Sequence, residues 1–165
     1  MTTTTLPTEA EITIFWSLLE SAWERVGSGT ERRAALISSS DRSSDDALLD
    51  PFLAELRTLS AGLTSAELTA LDRALERSLF DIDRASIQEI TDGSDDGFLY
   101  CRGFIVAMGR EHYDAVLADP QNALTDAECE EMCYFFTHLH NDLFGSYPET
   151  GSGISRETAS NPAHW

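Results

Sequence analysis

The stretch from Ser94 to Leu117 constrains the fold of this chain most strongly, because its apolar residues leave only a narrow polar face. Ser94 or Asp95 can cap a helix there by accepting bonds from the free N–H groups of its first turn, and the charges of Asp95 and Asp96 suit the positive end of the helix dipole. On a helical wheel the apolar side chains cover an arc of roughly 220°, whereas the stripe of a surface helix spans about 100°. We therefore predict a buried central helix over about residues 95–118 that other helices surround.

Five polar residues of this stretch form the candidate site: Asp95, Asp96, Arg102, Arg110 and His112. Arg102 falls inside the apolar arc and, because an arginine keeps its proton in proteins, it needs partners when it is buried. Asp95 and Asp96 lie within two helical turns and are its nearest candidate partners along the chain. The cluster is either a structural ion pair that fixes the start of the helix or a binding site for a small anionic ligand, with Arg102 as the bidentate donor.

His112 also falls inside the apolar arc, where a histidine is more often a satisfied core residue than a catalyst. Arg110 lies at the edge of the arc, from which its charged end can reach water. Acid–base chemistry on an anionic substrate is within the reach of these side chains, but their spacing does not require it. We therefore assign no catalytic residue, and we leave open whether the protein is an enzyme while favouring a protein that is not.

Helical periodicity continues along the rest of the chain. Capping boxes, in which a threonine is followed three residues later by a glutamate, predict helix starts at Thr8, Thr64 and Thr125. Leucines and aromatic residues then recur at intervals of three and four, and no convincing run of alternating apolar and polar residues appears. We predict an all-α fold, a single irregular bundle of five to seven helices around the central helix.

The length of the chain favours one domain, and the composition of its two ends differs from that of the middle. Residues 1–8 are rich in threonine, and we expect them to form a flexible N-terminal tail. Residues 145–165 are rich in glycine, serine and threonine, and we expect them to form a flexible C-terminal tail. A single helical domain then spans residues 9–144.

The chain carries 29 Asp and Glu residues against 11 arginines and no lysine, which gives a formal net charge of −18. Nucleic acids and anionic membranes bind clustered basic residues, so we expect neither as a partner. A basic protein partner fits this charge, and so does mimicry of a nucleic acid. Because the N-terminus lacks a secretory signal and no apolar stretch reaches the ~18 residues of a membrane span, we expect a cytoplasmic protein.

The three cysteines are Cys101, Cys129 and Cys133. An odd number, with two of them one helical turn apart, is not typical of a disulfide framework. Cys129, Cys133 and His140 would share one face of a helix, but a structural zinc site needs a fourth ligand, and none is evident. We therefore predict no metal and no cofactor. The chain also lacks the glycine motifs of nucleotide-binding proteins and the nucleophile motif of hydrolases.

A motif within the central stretch resembles that of a known family. It runs Ser94-Asp95-Asp96-Gly97-Phe98, then Tyr100, Arg102-Gly103-Phe104-Ile105-Val106 and Gly109-Arg110, with Ala118-Asp119-Pro120 after it. This pattern is similar to the signature of the bacterial domain-of-unknown-function family 4240, and Phe15-Trp16 followed by Leu19-Glu20 also fits. The resemblance extends over roughly residues 14–124. It implies a small helical bacterial protein, and it implies no activity.

Three hypotheses for the function follow from these observations. The first is a non-enzymatic interaction or regulatory module that binds a protein partner through a helix face or the acidic surface. The second is a binder of, or an enzyme on, a small anionic ligand that uses the Asp95/Asp96/Arg102 cluster. The third is an acidic nucleic-acid mimic that occupies a basic groove. We favour the first, and the sequence leaves the identity of the partner open.

Overall fold

The computed structural model describes residues 3–165 of the chain. Over these residues the chain forms nine α-helices and a short 3-10 helix at Pro120–Asn122, and no strand. The helices are α1 (Glu9–Arg25), α2 (Gly29–Ser38), α3 (Asp45–Ser60), α4 (Ser65–Asp81), α5 (Ala85–Thr91), α6 (Asp95–Ala107), α7 (Arg110–Ala118), α8 (Glu130–Cys133) and α9 (Phe135–Phe144). The all-α bundle is confirmed, with more and shorter helices than the five to seven expected. No helix in this part of the chain is long and apolar enough to span a membrane.

Two of the three predicted capping boxes are present. The Thr8 hydroxyl accepts from the Glu11 N–H at 3.1 Å, and the Glu11 carboxylate accepts from the Thr8 N–H at 2.8 Å. Thr64 and Glu67 make the same pair of bonds at the start of α4. These reciprocal bonds satisfy two N–H groups that an uncapped helix leaves free, and they fix where α1 and α4 begin.

The third predicted capping box, at Thr125, is wrong. The Thr125 hydroxyl donates to the carbonyl of Ile90 at 2.9 Å, so it ties the loop to the end of α5 instead of starting a helix. The single helix expected after Thr125 is two helices, α8 and α9, which are interrupted at Tyr134 (φ −129°, ψ 25°). α8 packs mainly against α6, whereas α9 packs against α4.

The predicted central helix is also two helices, α6 and α7, because the chain turns at Gly109. Gly109 has a φ of +94°, a conformation that side chains rarely adopt, and a Cβ atom there would overlap the carboxylate of Glu20. Hydrophobic periodicity continues across the break, which is why the sequence predicts one element. α6 is nevertheless the most enclosed helix of the bundle, with a continuous buried run from Cys101 to Ala107.

α1 links α3 to the end of α6 through Trp23. The Trp23 ring stacks on Phe52 of α3, with the ring centroids 4.5 Å apart. The indole N–H of Trp23 donates at 2.8 Å to the carbonyl of Ala107, the last residue of α6. That carbonyl is one of those that a helix end leaves without an internal donor, so the bond closes α6 as well as linking it to α1.

Residues 145–165 contain no helix, yet they pack against the bundle. The Ser152 hydroxyl donates to Glu76 of α4 at 2.6 Å, and Arg156 forms a buried ion pair with Asp72 of α4 at 2.8 Å. The carbonyl of Gly151 accepts from the Thr5 N–H at 2.8 Å, which joins the segment to the N-terminal residues. We call residues 150–165 the C-terminal strap.

The last residues of the C-terminal strap are held by one buried carboxylate. Asp83 is fully buried after α4, and its oxygens accept from the backbone N–H groups of Ala159, Ser160 and Asn161 at 2.7–3.1 Å. The indole N–H of Trp165 also donates to Asp83. The structure therefore differs from the flexible C-terminal tail expected for residues 145–165. Polar bonds hold this segment on the bundle, although it has no apolar helix face of its own. Of the expected N-terminal tail, residues 1 and 2 lie outside the described part.

Candidate functional site

Arg102 is fully buried, and its partners are two backbone carbonyls and, at 3.4 Å, the Thr158 hydroxyl, instead of the expected carboxylates. It donates through Nη1 to Leu79 at 3.0 Å and through Nη2 to Arg156 at 2.8 Å, and its guanidinium lies 4.9 Å from the centre of the Phe98 ring. Asp95 and Asp96 are exposed at the start of α6 and form no ion pair with it. The structure therefore does not bring the predicted Asp95/Asp96/Arg102 cluster together.

The environment of Arg102 explains this difference. Burial lowers the pKa of Arg102, and the negative charge of the nearby Asp83 opposes that effect. The Leu79 carbonyl lies in the last turn of α4, where carbonyls lack helical donors, so Arg102 completes that helix end. With Nη1 and Nη2 engaged in this way, the guanidinium joins α4, α6 and the C-terminal strap and presents no open fork to an anion.

The other two residues of the predicted cluster lie on α7 and serve different purposes. Arg110 is exposed, as the sequence indicates, and its nearest carboxylate is that of Asp114 at 3.7 Å. His112 is buried, its Nε2 atom has no hydrogen-bond partner within residues 3–165, and burial lowers its pKa. His112 is therefore held neutral in the core at neutral pH.

The cysteines lie in the core between α6 and α8. Burial raises the pKa of Cys101, Cys129 and Cys133 to about 12 in each case, so all three are protonated and poorly nucleophilic at neutral pH. The Cys133 thiol donates to the carbonyl of Leu99 at 3.3 Å. His140 bonds to Ser65 and Ser146 instead of to a cysteine. Within residues 3–165 no group of metal-binding side chains forms.

A surface groove runs along α3, opposite α8 and the start of α9. It consists of two adjoining cavities of about 360 and 570 Å³, both of which Leu53, Glu130 and Glu131 line. We call this pair of cavities the α3–α8 groove. Five exposed carboxylates line the first cavity: Asp46, Asp50, Glu128, Glu130 and Glu131. Leu49 and Leu53, both buried, lie among them.

The carboxylates of the α3–α8 groove are not neutralised. None of the five forms an ion pair among the described residues, and Arg57, which lines the second cavity, is engaged by Asp142 at 3.0 Å. Burial and the negative charges of Asp126 and Glu130 raise the pKa of Glu128. Each of these effects disfavours the charged form of Glu128, so ionisation of this one carboxyl group lowers the stability of the fold.

The second cavity of the groove has an aromatic wall beside its charged residues. Tyr134 and Phe135 line it, and the Tyr134 ring stacks on the imidazole of His138 at 6.0 Å. The guanidinium of Arg156 lies 5.0 Å from the Tyr134 ring and supports it from the C-terminal strap. An acidic half and an aromatic half therefore share one groove, on the two sides of Leu53.

Sequence reasoning missed this groove because its two walls are far apart along the chain. The run Glu128-Cys129-Glu130-Glu131 is the available signal, but Glu128 also fits the capping-box pattern that begins at Thr125. Asp46 and Asp50 on α3 give no indication of facing that run.

A family model described as "Protein of unknown function (DUF4240)" matches residues 11–142. The match covers most of α1, all of α2 to α8 and most of α9, and it stops before the C-terminal strap. No curated protein and no solved structure matches the chain.

Proposed function

The chain belongs to the DUF4240 family of proteins of unknown function, and we propose from its surface that it is a protein-interaction module. The α3–α8 groove would bind a basic segment of a partner protein, in which arginine or lysine residues stand beside an apolar residue. The observation that supports this proposal is the placement of five carboxylates without counter-ions next to an aromatic wall in one groove.

One titratable group is a reason to assign the groove a function. Groups with perturbed pKa values concentrate at functional sites. The raised pKa of Glu128 marks this groove in that way. A basic partner would supply the missing counter-ions, and burial of its apolar residue against Leu53 and Tyr134 would supply affinity that does not depend on salt.

The shape of the groove favours this proposal over the two alternatives. A nucleic-acid mimic must insert a protruding acidic surface into a basic groove, whereas these carboxylates line a concave surface. A small anionic ligand at Arg102 would have to compete with the carbonyls of Leu79 and Arg156 for a buried guanidinium. A basic partner segment in the groove requires neither a protruding acidic surface nor a free Arg102 guanidinium.

Three buried free thiols, those of Cys101, Cys129 and Cys133, support a cytoplasmic location, where thiols stay reduced. We infer this location as a proposal that accompanies the first one. Imaging of a fluorescent fusion tests it, and a signal confined to the cell envelope would contradict it.

Fluorescence anisotropy with a labelled peptide that alternates arginine and leucine tests the proposed function. The variant E128Q/E130Q/E131Q removes three charges from the groove, and E31Q/E89Q/E111Q removes three exposed charges elsewhere as a matched control. Exposed ion pairs contribute about 0.2–1 kcal/mol each, so we expect the groove variant to bind about tenfold more weakly than the control variant. Equal affinities of the two variants would show that only net charge matters and would refute the groove as the site.

A further inference from the structure

Ser65 and His140 form a hydrogen-bonded pair between α4 and α9. Ser65 is the first residue of α4 and is exposed, whereas His140 is buried. The Ser65 hydroxyl oxygen lies 2.7 Å from Nε2 of His140, and Nδ1 of the same ring lies 2.5 Å from the carbonyl oxygen of Ser146. Nothing in the proposed groove function uses this pair.

The Ser146 carbonyl fixes the direction of both hydrogen bonds whenever the His140 ring is neutral. A carbonyl oxygen can only accept, so the one hydrogen of the neutral ring must be on Nδ1. Nε2 then has a free lone pair, and the Ser65 hydroxyl must donate to it. This is the protonation state in which a histidine can remove the proton of a serine, with a third group orienting the ring.

We propose that Ser65 and His140 are a nucleophile and its general base, and that they act on carboxylic esters with an apolar substituent. The proposal is independent of the α3–α8 groove. The exposed Ser65 hydroxyl is accessible to a substrate and to water, while packing in the core holds the imidazole of His140 in place.

The start of α4 supplies stabilisation for the oxyanion that would form. The first N–H groups of a helix have no acceptor within the helix, and the N-terminal end carries a partial positive charge. Thr64 caps the Glu67 N–H and leaves those of Ser65 and Ala66, the groups beside the nucleophile, for an incoming carbonyl oxygen. The Glu67 carboxylate is held on the Thr64 N–H.

An exposed aromatic side chain lies beside the pair and suggests the substrate class. The ring of Phe144 lies 5.2 Å from that of His140 and is 47% exposed. Leu143 and Tyr147, which neighbour it along the chain, are also among the exposed large apolar residues. An ester with an apolar acyl or alcohol group would cover this surface.

The reaction balances without a co-reactant other than water. The Ser65 oxygen bonds to the ester carbonyl carbon while its proton passes to Nε2 of His140. The bond from that carbon to the alcohol oxygen then breaks, and His140 returns the proton to the departing alcohol. Water, deprotonated by His140, attacks the acyl group on Ser65, the carboxylic acid leaves, and Ser65 regains its proton.

Labelling with a fluorophosphonate probe, mapped by peptide mass spectrometry, tests the pair. We expect the label on Ser65 and not on Ser94, an exposed serine that caps α6 without a histidine partner. Hydrolysis of p-nitrophenyl butyrate should be lost in S65A. In H140Q, which retains a polar side chain but not the base, labelling should slow by about 10²-fold or more.

Circular dichroism of each variant separates loss of the base from loss of the fold. An unlabelled Ser65 in the wild-type protein would overturn the proposal, and so would equal labelling of Ser65 and Ser94. A folded H140Q variant that is labelled as fast as the wild type would also overturn it, since the histidine would then be a purely structural link. If H140Q fails to fold, the comparison of Ser65 with Ser94 in the wild type decides the matter.

Discussion

Replacement of Arg102 by methionine keeps most of the length of a fully buried side chain and removes its charge and donors. The variant leaves the carbonyls of Leu79 and Arg156 without the bonds that they accept at 3.0 and 2.8 Å. It also leaves the buried carboxylate of Asp83 without the nearby positive charge. We therefore expect R102M to destabilise the fold and to loosen the C-terminal strap first.

The expected loss follows from the two well-formed bonds. A hydrogen bond from a charged donor contributes about 1.5–3 kcal/mol, so two are worth about 3–6 kcal/mol. Because methionine removes the cost of burying a guanidinium, part of this is recovered. We expect a net loss of about 3 kcal/mol in the free energy of unfolding. At about 2–4 °C per kcal/mol for a protein of this size, Tm should fall by about 6–12 °C.

Urea unfolding followed by circular dichroism measures the loss, and hydrogen exchange locates it. Backbone amides of residues 156–165 should exchange faster in R102M before those of α6 do. R102K is the control, because it keeps the charge but lacks the fork that reaches two carbonyls, and it should lie between R102M and the wild type. An unchanged unfolding midpoint in R102M would refute the structural role of Arg102.

Three further perturbations test other parts of the molecule. Since the folded-state pKa of Glu128 is raised, ionisation of its carboxyl group lowers the stability of the fold as pH increases. E128Q should therefore be more stable than the wild type at pH 7, by up to about 0.5 kcal/mol. Thermal unfolding should show this difference vanishing well below pH 4.5, the ordinary pKa of a glutamate. Since the folded-state pKa of His112 is lowered, the unfolded chain binds the proton first, and stability falls as pH drops below 6.5. H112L should flatten this pH dependence in urea titrations at pH 5, 6 and 8. An equally steep profile would contradict a His112 that is held neutral in the core. D83N should weaken the bonds to residues 159–161, cost about 1–3 kcal/mol and make the C-terminal strap sensitive to limited proteolysis, whereas an unchanged cleavage pattern would argue against its anchoring role.

The features that the sequence predicted correctly are local ones. The capping boxes at Thr8 and Thr64 need only four consecutive residues, and the all-α fold needs only periodicity over a few turns. The break at Gly109 escaped prediction because the apolar pattern continues through it. A side chain is disfavoured at Gly109 by its φ of +94° and by the nearby Glu20 carboxylate, and a helical wheel represents neither.

The features that the sequence missed depend on contacts between distant segments. Arg102 binds carbonyls 23 and 54 residues away, and backbone carbonyls leave no mark in a sequence. Ser65 and His140 are 75 residues apart, so neither suggests the other. Polar bonds to Asp83 hold the C-terminal strap, and such bonds leave no apolar periodicity in the sequence. Composition alone therefore indicates a flexible tail.

We propose that a basic partner binds in the α3–α8 groove. Titration of ¹⁵N-labelled protein with the arginine–leucine peptide, followed by NMR, tests this proposal residue by residue. We expect saturable shifts in the amides of residues 46–54 and 128–135, with much smaller shifts elsewhere, and no saturable shifts with a matched peptide in which glutamate replaces arginine. Shifts spread evenly over the acidic surface, or none in these two segments, would contradict the claim.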